Sequence, residues 1–518
     1  MRRIFSVLFL SFSLLCSSQN LRWGDQGNGT FINPVLNADY SDPDVIRVGE
    51  KYYMVASDFN YMGIQMMESD DMVNWRLISQ VYDHFDFAGW DDMKRYGRGS
   101  WAPSLRHHNG KYYVYFCTPD EGLIMAEATD PHGPWSPLHT VKSIAKWEDP
   151  CPFWDDDGKA YLGHSLVGAG PIILHKMSAD GHELLDDGVT VYTGPVAEGT
   201  KFLKRDGWYY LVIPEGGVSS GWQTVLRSRN IYGPYEKRVV LEQGPTNING
   251  PHQGSLVDTP DGEWWFYHFQ ETRHLGRVVH LQPVRWIDGW PMCGTDSDLN
   301  GTGEPLYVSV KPQTNVRQEP SLPQSSDDFD GNILTWKGQR HDALGLQWQW
   351  NHNADHSQWS LDERKGWLTL HANAAESLKT ARNTLTQKAM GYRGEATTLA
   401  DCQGMAEGSR MGIAVMGSRQ CGVGVCKRGG RLVFYREDNG EVEYYGTASK
   451  RVWLRAEADG TTFKLSYSTD GKRYHAAGQA ITITNAYWKG PRLGLYCYST
   501  GGSQGKAQFD FFRYKILE

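Results

Sequence analysis

Three carboxylates in this 518-residue chain sit in settings where they could act together: Asp42 in SDPD, Asp149 in WEDP and Glu198 in AEG. Two carboxyl groups on opposite faces of a sugar can hydrolyse a glycosidic bond. One protonates the leaving oxygen and the other activates water, at a separation of ~6.5–9.5 Å when the configuration inverts. A third carboxylate nearby raises the acid's pKa by like-charge repulsion and helps to orient it. The same three groups could also cage a cation such as calcium. Either chemistry requires the fold to bring together residues that are far apart in sequence.

The first 300 residues contain a repeat that does so. Five segments share a cluster of polar or small residues, an apolar strand, a glycine turn and an aromatic strand. They are SDPDVIRVGEKYYMVAS, WAPSLRHHNGKYYVYFC, EDPCPFWDDDGKAYLGHS, EGTKFLKRDGWYYLVIP and HQGSLVDTPDGEWWFYHFQ, turning at Gly49, Gly110, Gly158, Gly207 and Gly262. A further strand pair with its own turn follows each. Four strands per ~50-residue unit make a propeller blade, so five copies predict a five-bladed β-propeller. The innermost strand of a blade runs along the central axis. Residues just before it should therefore converge at one end, and these are Asp42, Trp101, Asp149, Glu198 and His252.

Composition agrees with an all-β chain. The 20 Trp, 27 Tyr and 18 Phe, with 57 Gly and 23 Pro, favour short strands and tight turns over long helices. The 52 basic residues fall short of the 60 acidic ones, a net charge of −8, which argues against nucleic acid or anionic membrane as partner. The start, with Arg2, Arg3 and the apolar run Ile4 to Leu15, reads as an export signal over residues 1–20, predicting a periplasmic or extracellular protein. Acylation at Cys16, the lipoprotein alternative, is disfavoured because Leu15 is not small. No other stretch is long and apolar enough for a membrane span. Removing the signal leaves seven scattered Cys, an odd number that forms no disulfide framework.

The propeller should occupy residues 21–312. A Pro/Gln/Ser-rich linker follows at 313–327, and 328–518 reads as strand-like runs separated by Gly and Asp/Asn turns. This second part predicts a concanavalin-like β-sandwich. The sequence fixes no oligomeric state.

The motifs NPVLNADYSDPDVIRVGEKYYMVAS, SWAPSL, WEDPCPFWDDDGKAYL, AEGTKF and GPHQGSL, in this order, resemble glycoside hydrolase family 43. The tail from DDFDG through LQWQWNHNADHSQWSL resembles the sandwich that follows the propeller in that family's β-xylosidase and α-L-arabinofuranosidase members. The resemblance implies an exo-acting, inverting hydrolase releasing terminal xylose or arabinofuranose from plant oligo- or polysaccharide. It implies Asp42 as general base, Glu198 as general acid and Asp149 as the residue that modulates the acid's pKa. Phe59 and Trp101 resemble aromatic walls of the sugar pocket, and Arg277 an arginine that grips sugar hydroxyls. His252 resembles a histidine near the axis that often sits by calcium or water. No cofactor is required, and any calcium would be structural. A galactanase specificity or a non-catalytic sugar-binding propeller are the alternatives. The run Gly494–Gly502 is a candidate for a sandwich loop reaching the pocket rim. Asp44 reads as a solvated turn acid, and Glu148, beside Asp149 in an extended segment, should point away from the centre. GGSQG at 501–505 mimics a nucleophile elbow but no helix follows it. His107 and His108 lack a third ligand at metal spacing.

Overall fold

The computed structural model describes residues 22–336, 339–502 and 504–517. The expected export signal, including Cys16, lies outside the described residues. Five sheets of four antiparallel strands follow one another along the chain, each strand paired with the next in sequence. The first strands are Ser41–Val48, Trp101–His108, Trp147–Trp154, Lys201–Arg205 and Leu256–Asp258, opening blades I to V. Blade V closes on blade I through side chains: the Val45 N–H donates to Ser255 Oγ at 3.0 Å, and Arg47 pairs with Asp258 at 2.7 Å. Each blade supplies all four of its own strands. The ring is clasped instead by a small sheet in which Thr30–Ile32 pairs with both Gly24–Asp25 and Val308–Val310.

Residues 311–327 carry no strand but are tied to blade I. Lys311 pairs with Asp25 and Asp71, and Gln324 donates to the Tyr40 hydroxyl at 2.8 Å. Two eight-stranded sheets then pack face to face. One is centred on Arg492–Ser499 between Leu385–Lys388 and Ser409–Met416; the other on Arg393–Asp401 between Lys506–Ile516 and Arg451–Asp459. Their inner faces share an apolar core that includes Leu368, Ile413, Leu454, Leu495 and Phe509. That core is continuous with Trp90, Leu105 and Phe116 of the propeller, so the two domains bury apolar surface against each other.

The junction also contains a buried charge cluster. Lys388 on the sandwich donates to Asp58 of blade I at 2.6 Å, and Arg492 approaches the same carboxylate at 3.3 Å. All three side chains are essentially sealed from solvent. Burial pushes the Asp58 carboxyl up, but the two cations outweigh it and hold the group below the usual carboxylate range. Breaking a buried pair leaves an uncompensated charge. Lys388→Met keeps most of the apolar stem, and should still cost about 3 kcal/mol or more in denaturant-induced unfolding of the whole chain. A loss under about 1 kcal/mol would show that Arg492 alone satisfies Asp58.

Candidate functional site

The five motifs align residue by residue. Ser41, Trp101, Glu148, Glu198 and His252 occupy one position; Asp42, Ala102, Asp149, Gly199 and Gln253 occupy the next. Every residue of the second set has a left-handed backbone, with φ of 54°, 40°, 56°, 62° and 29°. This conformation is costly for residues other than glycine and persists only where the surroundings impose it. In blades I to III it coincides with a β-bulge, between Ser41 and Asp44, Trp101 and Ser104, and Glu148 and Cys151. Bulges re-aim side chains at the rims of barrels and beside active sites. The five residues expected to converge therefore come from two adjacent positions: Asp42 and Asp149 from one, Trp101, Glu198 and His252 from the other.

Asp42 is held by three donors. Its Oδ2 accepts from Ser57 Oγ at 2.6 Å and Ser41 Oγ at 2.9 Å, and its Oδ1 accepts from Arg277 Nη1 at 2.8 Å. Arg277 also donates to Ser41 Oγ at 2.9 Å and lies over the Phe269 ring. It comes from the third strand of blade V, Gly276–Ile287. Arg277, expected to grip sugar hydroxyls, commits one guanidinium nitrogen to Asp42 instead. Asp149 accepts the Gly199 N–H at 2.7 Å and the Ser165 hydroxyl at 3.3 Å on Oδ2, and Gln253 Nε2 at 3.2 Å on Oδ1. Glu198 Oε1 meets His252 Nε2 at 2.9 Å. His252 therefore turns one ring nitrogen to Glu198, and calcium prefers oxygen ligands over such a group. Ser41, Ser57, Ser165 and Gln253 were not singled out in the sequence. Ser41 and Gln253 are legible there in hindsight, as the blade I and blade V members of the two aligned positions.

Two acids differ from expectation. Glu148 does not point away. Carboxylate oxygens of Glu148, Asp149 and Glu198 lie within 4.8 Å of one another, and Glu148 Oε1 accepts the Ala169 N–H at 3.1 Å. The left-handed turn at Asp149 breaks the strand alternation that would have sent the two neighbours to opposite sides. Asp44 is no solvated turn acid either. It is fully buried, paired with Arg106 at 2.7 Å and Lys201 at 3.8 Å, and accepts from Ser255 and the Leu105 N–H. This cluster lines a cavity of about 210 Å³ two residues further along the axis from Asp42. Its acid is neutralised by cations, unlike the group around Asp149.

The aromatic residues expected at the sugar pocket meet one another. Phe59 and Trp101 lie edge to face at 6.5 Å between ring centroids. Trp488 of the sandwich stacks on Phe59 at 6.4 Å and meets Trp101 edge-on at 5.0 Å. The sandwich thus reaches this wall through the segment Asn485–Gly490, not through Gly494–Gly502. The latter is largely the core strand Arg492–Ser499, buried along its whole length.

Burial pushes the Glu148 carboxyl well up, and repulsion from Asp149 and Glu198 pushes it further. Burial likewise raises Asp149, with Glu198 and Asp42 adding to it. The folded chain therefore keeps protons that the unfolded chain releases near pH 4. Where the native state binds more protons, stability falls as pH rises from the unfolded value toward the folded one. Glu148→Gln keeps an oxygen for the Ala169 N–H and cannot ionise. Its melting temperature should exceed that of the parent above pH 6, with the gap closing toward pH 4. A pH-independent gap would contradict the shared burial of these acids.

The model of glycosyl hydrolases family 43 matches residues 31–291, and that of the β-xylosidase C-terminal concanavalin A-like domain matches residues 340–515. A protein of Xylanibacter ruminicola assigned as a β-xylosidase is 56% identical over 92% of this chain and 88% of its own. A β-xylosidase of Formosa agariphila is 35% identical, covering 96% of this chain and 93% of its own. The crystal structure of a family 43 protein from Bacillus licheniformis superposes with a TM-score of 0.82 at 28% identity, over 94% of this chain and 100% of that one. With the acids convergent at one end of a five-bladed propeller and both domains matched, the chain belongs to glycoside hydrolase family 43.

Proposed function

We propose that the protein is an exo-acting, inverting hydrolase that releases terminal β-D-xylose from xylo-oligosaccharides. The observation that carries this is the partition of the acids. Asp149 and Glu198 form one close group with Glu148, and Asp42 is held outside it by Arg277, Ser41 and Ser57. An inverting glycosidase needs this division between an acid on one side of the sugar and a base on the other.

In this reading both oxygens of Asp42 accept hydrogen bonds, which aims the carboxylate at the water it deprotonates. Glu198, with one oxygen held by His252, delivers its proton to the leaving oxygen. Asp149, anchored by Gly199, Ser165 and Gln253, orients the acid. Phe59, Trp101 and Trp488 provide apolar faces for the sugar ring. The wall contributed by the sandwich closes one side of the site, and a closed pocket admits a chain end rather than the middle of a polymer. Acid, base and water suffice for this reaction without a cofactor. Xylose is favoured over arabinofuranose because both relatives described above carry the β-xylosidase name.

Side-by-side hydrolysis of the p-nitrophenyl β-D-xylopyranoside and α-L-arabinofuranoside by the full chain tests the assignment. The xyloside should be cleaved faster, and a clear arabinoside preference would replace xylose in the reading. Glu198→Gln should lower kcat by ~10²–10⁴ on the p-nitrophenyl substrate. It should recover much of that on a dinitrophenyl xyloside, whose leaving group needs little protonation. Asp42→Asn should be as impaired on both. Unchanged sugar release by either variant would remove that residue from its proposed role.

A further inference from the structure

Asp39 lies three residues before Asp42, fully buried where the propeller meets the sandwich. Its Oδ1 accepts the backbone N–H of Arg277 at 3.0 Å. The same place is approached by the sandwich segment that carries Trp488. The hairpin turn that leads into Arg277 is clamped by the same segment. The Asn485 N–H donates to the Arg273 carbonyl at 3.0 Å. A Cβ on Gly276 would lie 2.4 Å from the Gly490 nitrogen and 2.5 Å from Asp39 Oδ1. A Cβ on Gly490 would lie 1.8 Å from the Leu275 carbonyl oxygen. On its other side, the Arg277 carbonyl accepts the Tyr40 N–H at 3.0 Å. The backbone of Arg277 is therefore fixed by Asp39 and Tyr40 and backed by the sandwich, while its guanidinium fixes Asp42.

We propose that Asp39 is a positioning residue: it fixes the backbone of Arg277 where that hairpin packs on the sandwich segment Asn485–Gly490, and through Arg277 it fixes Asp42. The sandwich then does two things at the site. Trp488 extends the aromatic wall, and Gly490, packed on Leu275 and Gly276, backs the hairpin that carries the guanidinium holding the carboxylate. Asp39 touches no substrate and acts only through Arg277. The proposal rests on Asp42 acting as the base.

A double-mutant cycle on the full chain tests it, reading kcat/KM on p-nitrophenyl β-D-xylopyranoside with a thermal melt for each variant. Asp39→Ala removes the acceptor of the Arg277 N–H. Gly490→Ala pushes the Leu275 carbonyl away, and because Gly490 lacks a left-handed backbone, that clash is its main effect. Each should lower kcat/KM about ten-fold or more, since small misplacements of a catalytic group are costly. Combined with Arg277→Ala, neither should lower it beyond the Arg277→Ala value by more than about two-fold, because residues acting as one unit are non-additive. Asp39→Asn, which keeps an acceptor oxygen, should retain more activity than Asp39→Ala. Folded variants with parental activity would overturn the proposal, as would losses that multiply with that of Arg277→Ala. If Asp39→Ala fails to fold, the Gly490→Ala arm decides by the same comparison. A parent chain inactive on every glycoside would overturn the functional reading itself, and this proposal with it.

Discussion

Four carboxyl groups meet at one end of a propeller axis, three of them buried and Glu198 partly exposed, and one guanidinium faces them. Most of the site's architecture answers that electrostatic problem. Charges of one sign brought together in a poorly solvated place must either bind protons or find donors. Glu148 and Asp149 take the first route and are held toward the neutral form. Asp42 takes the second, with Arg277, Ser41 and Ser57 converging on its two oxygens. Two residues along the same strand the axis handles charge differently: Asp44 is neutralised by Arg106 and Lys201. The contrast between the two levels marks where chemistry is placed. One level leaves acids uncompensated at a cost in stability, and the other satisfies its acid with two cations.

The five-fold repeat explains how the arrangement is built. A left-handed residue at the same place in every blade turns the neighbouring side chains toward the axis. What each blade brings to the axis is then set by the residues at the two positions. Blade IV supplies Glu198 and a glycine, blade III supplies Glu148 and Asp149, and blade I supplies Ser41 and Asp42. Blade V supplies His252 and Gln253, each bonded to an acid from another blade. Blade II supplies Trp101, and so contributes surface instead of charge.

Much of this was legible in the sequence, because turn glycines and aromatic strands recur in phase and each acid sits in a repeat motif. What was not legible has identifiable causes. Glu148 was misplaced because strand alternation fails at a left-handed residue, and Asp149 gives no local sign of one. Asp44 was misread because its partner Arg106 lies 62 residues away in another blade. The sandwich segment at the pocket was sought in an aromatic run, Gly494–Gly502, which proved to be core strand. The true contact, Trp488, meets Phe59 from more than 400 residues away, and no local periodicity records such a pairing. Interfaces between domains are set by packing of surfaces that each domain's own pattern leaves unspecified.

The central claim is that acid and base act from opposite sides of the sugar, with Glu198 in the close carboxyl group and Asp42 outside it. The most direct measurement is the anomeric configuration of the sugar first released, followed by proton NMR during hydrolysis of a β-xyloside before mutarotation equilibrates the product. The account predicts that α-xylose appears first. First appearance of β-xylose would mean a covalent intermediate and retention, and would contradict the assignment of Asp42 as a base acting through water.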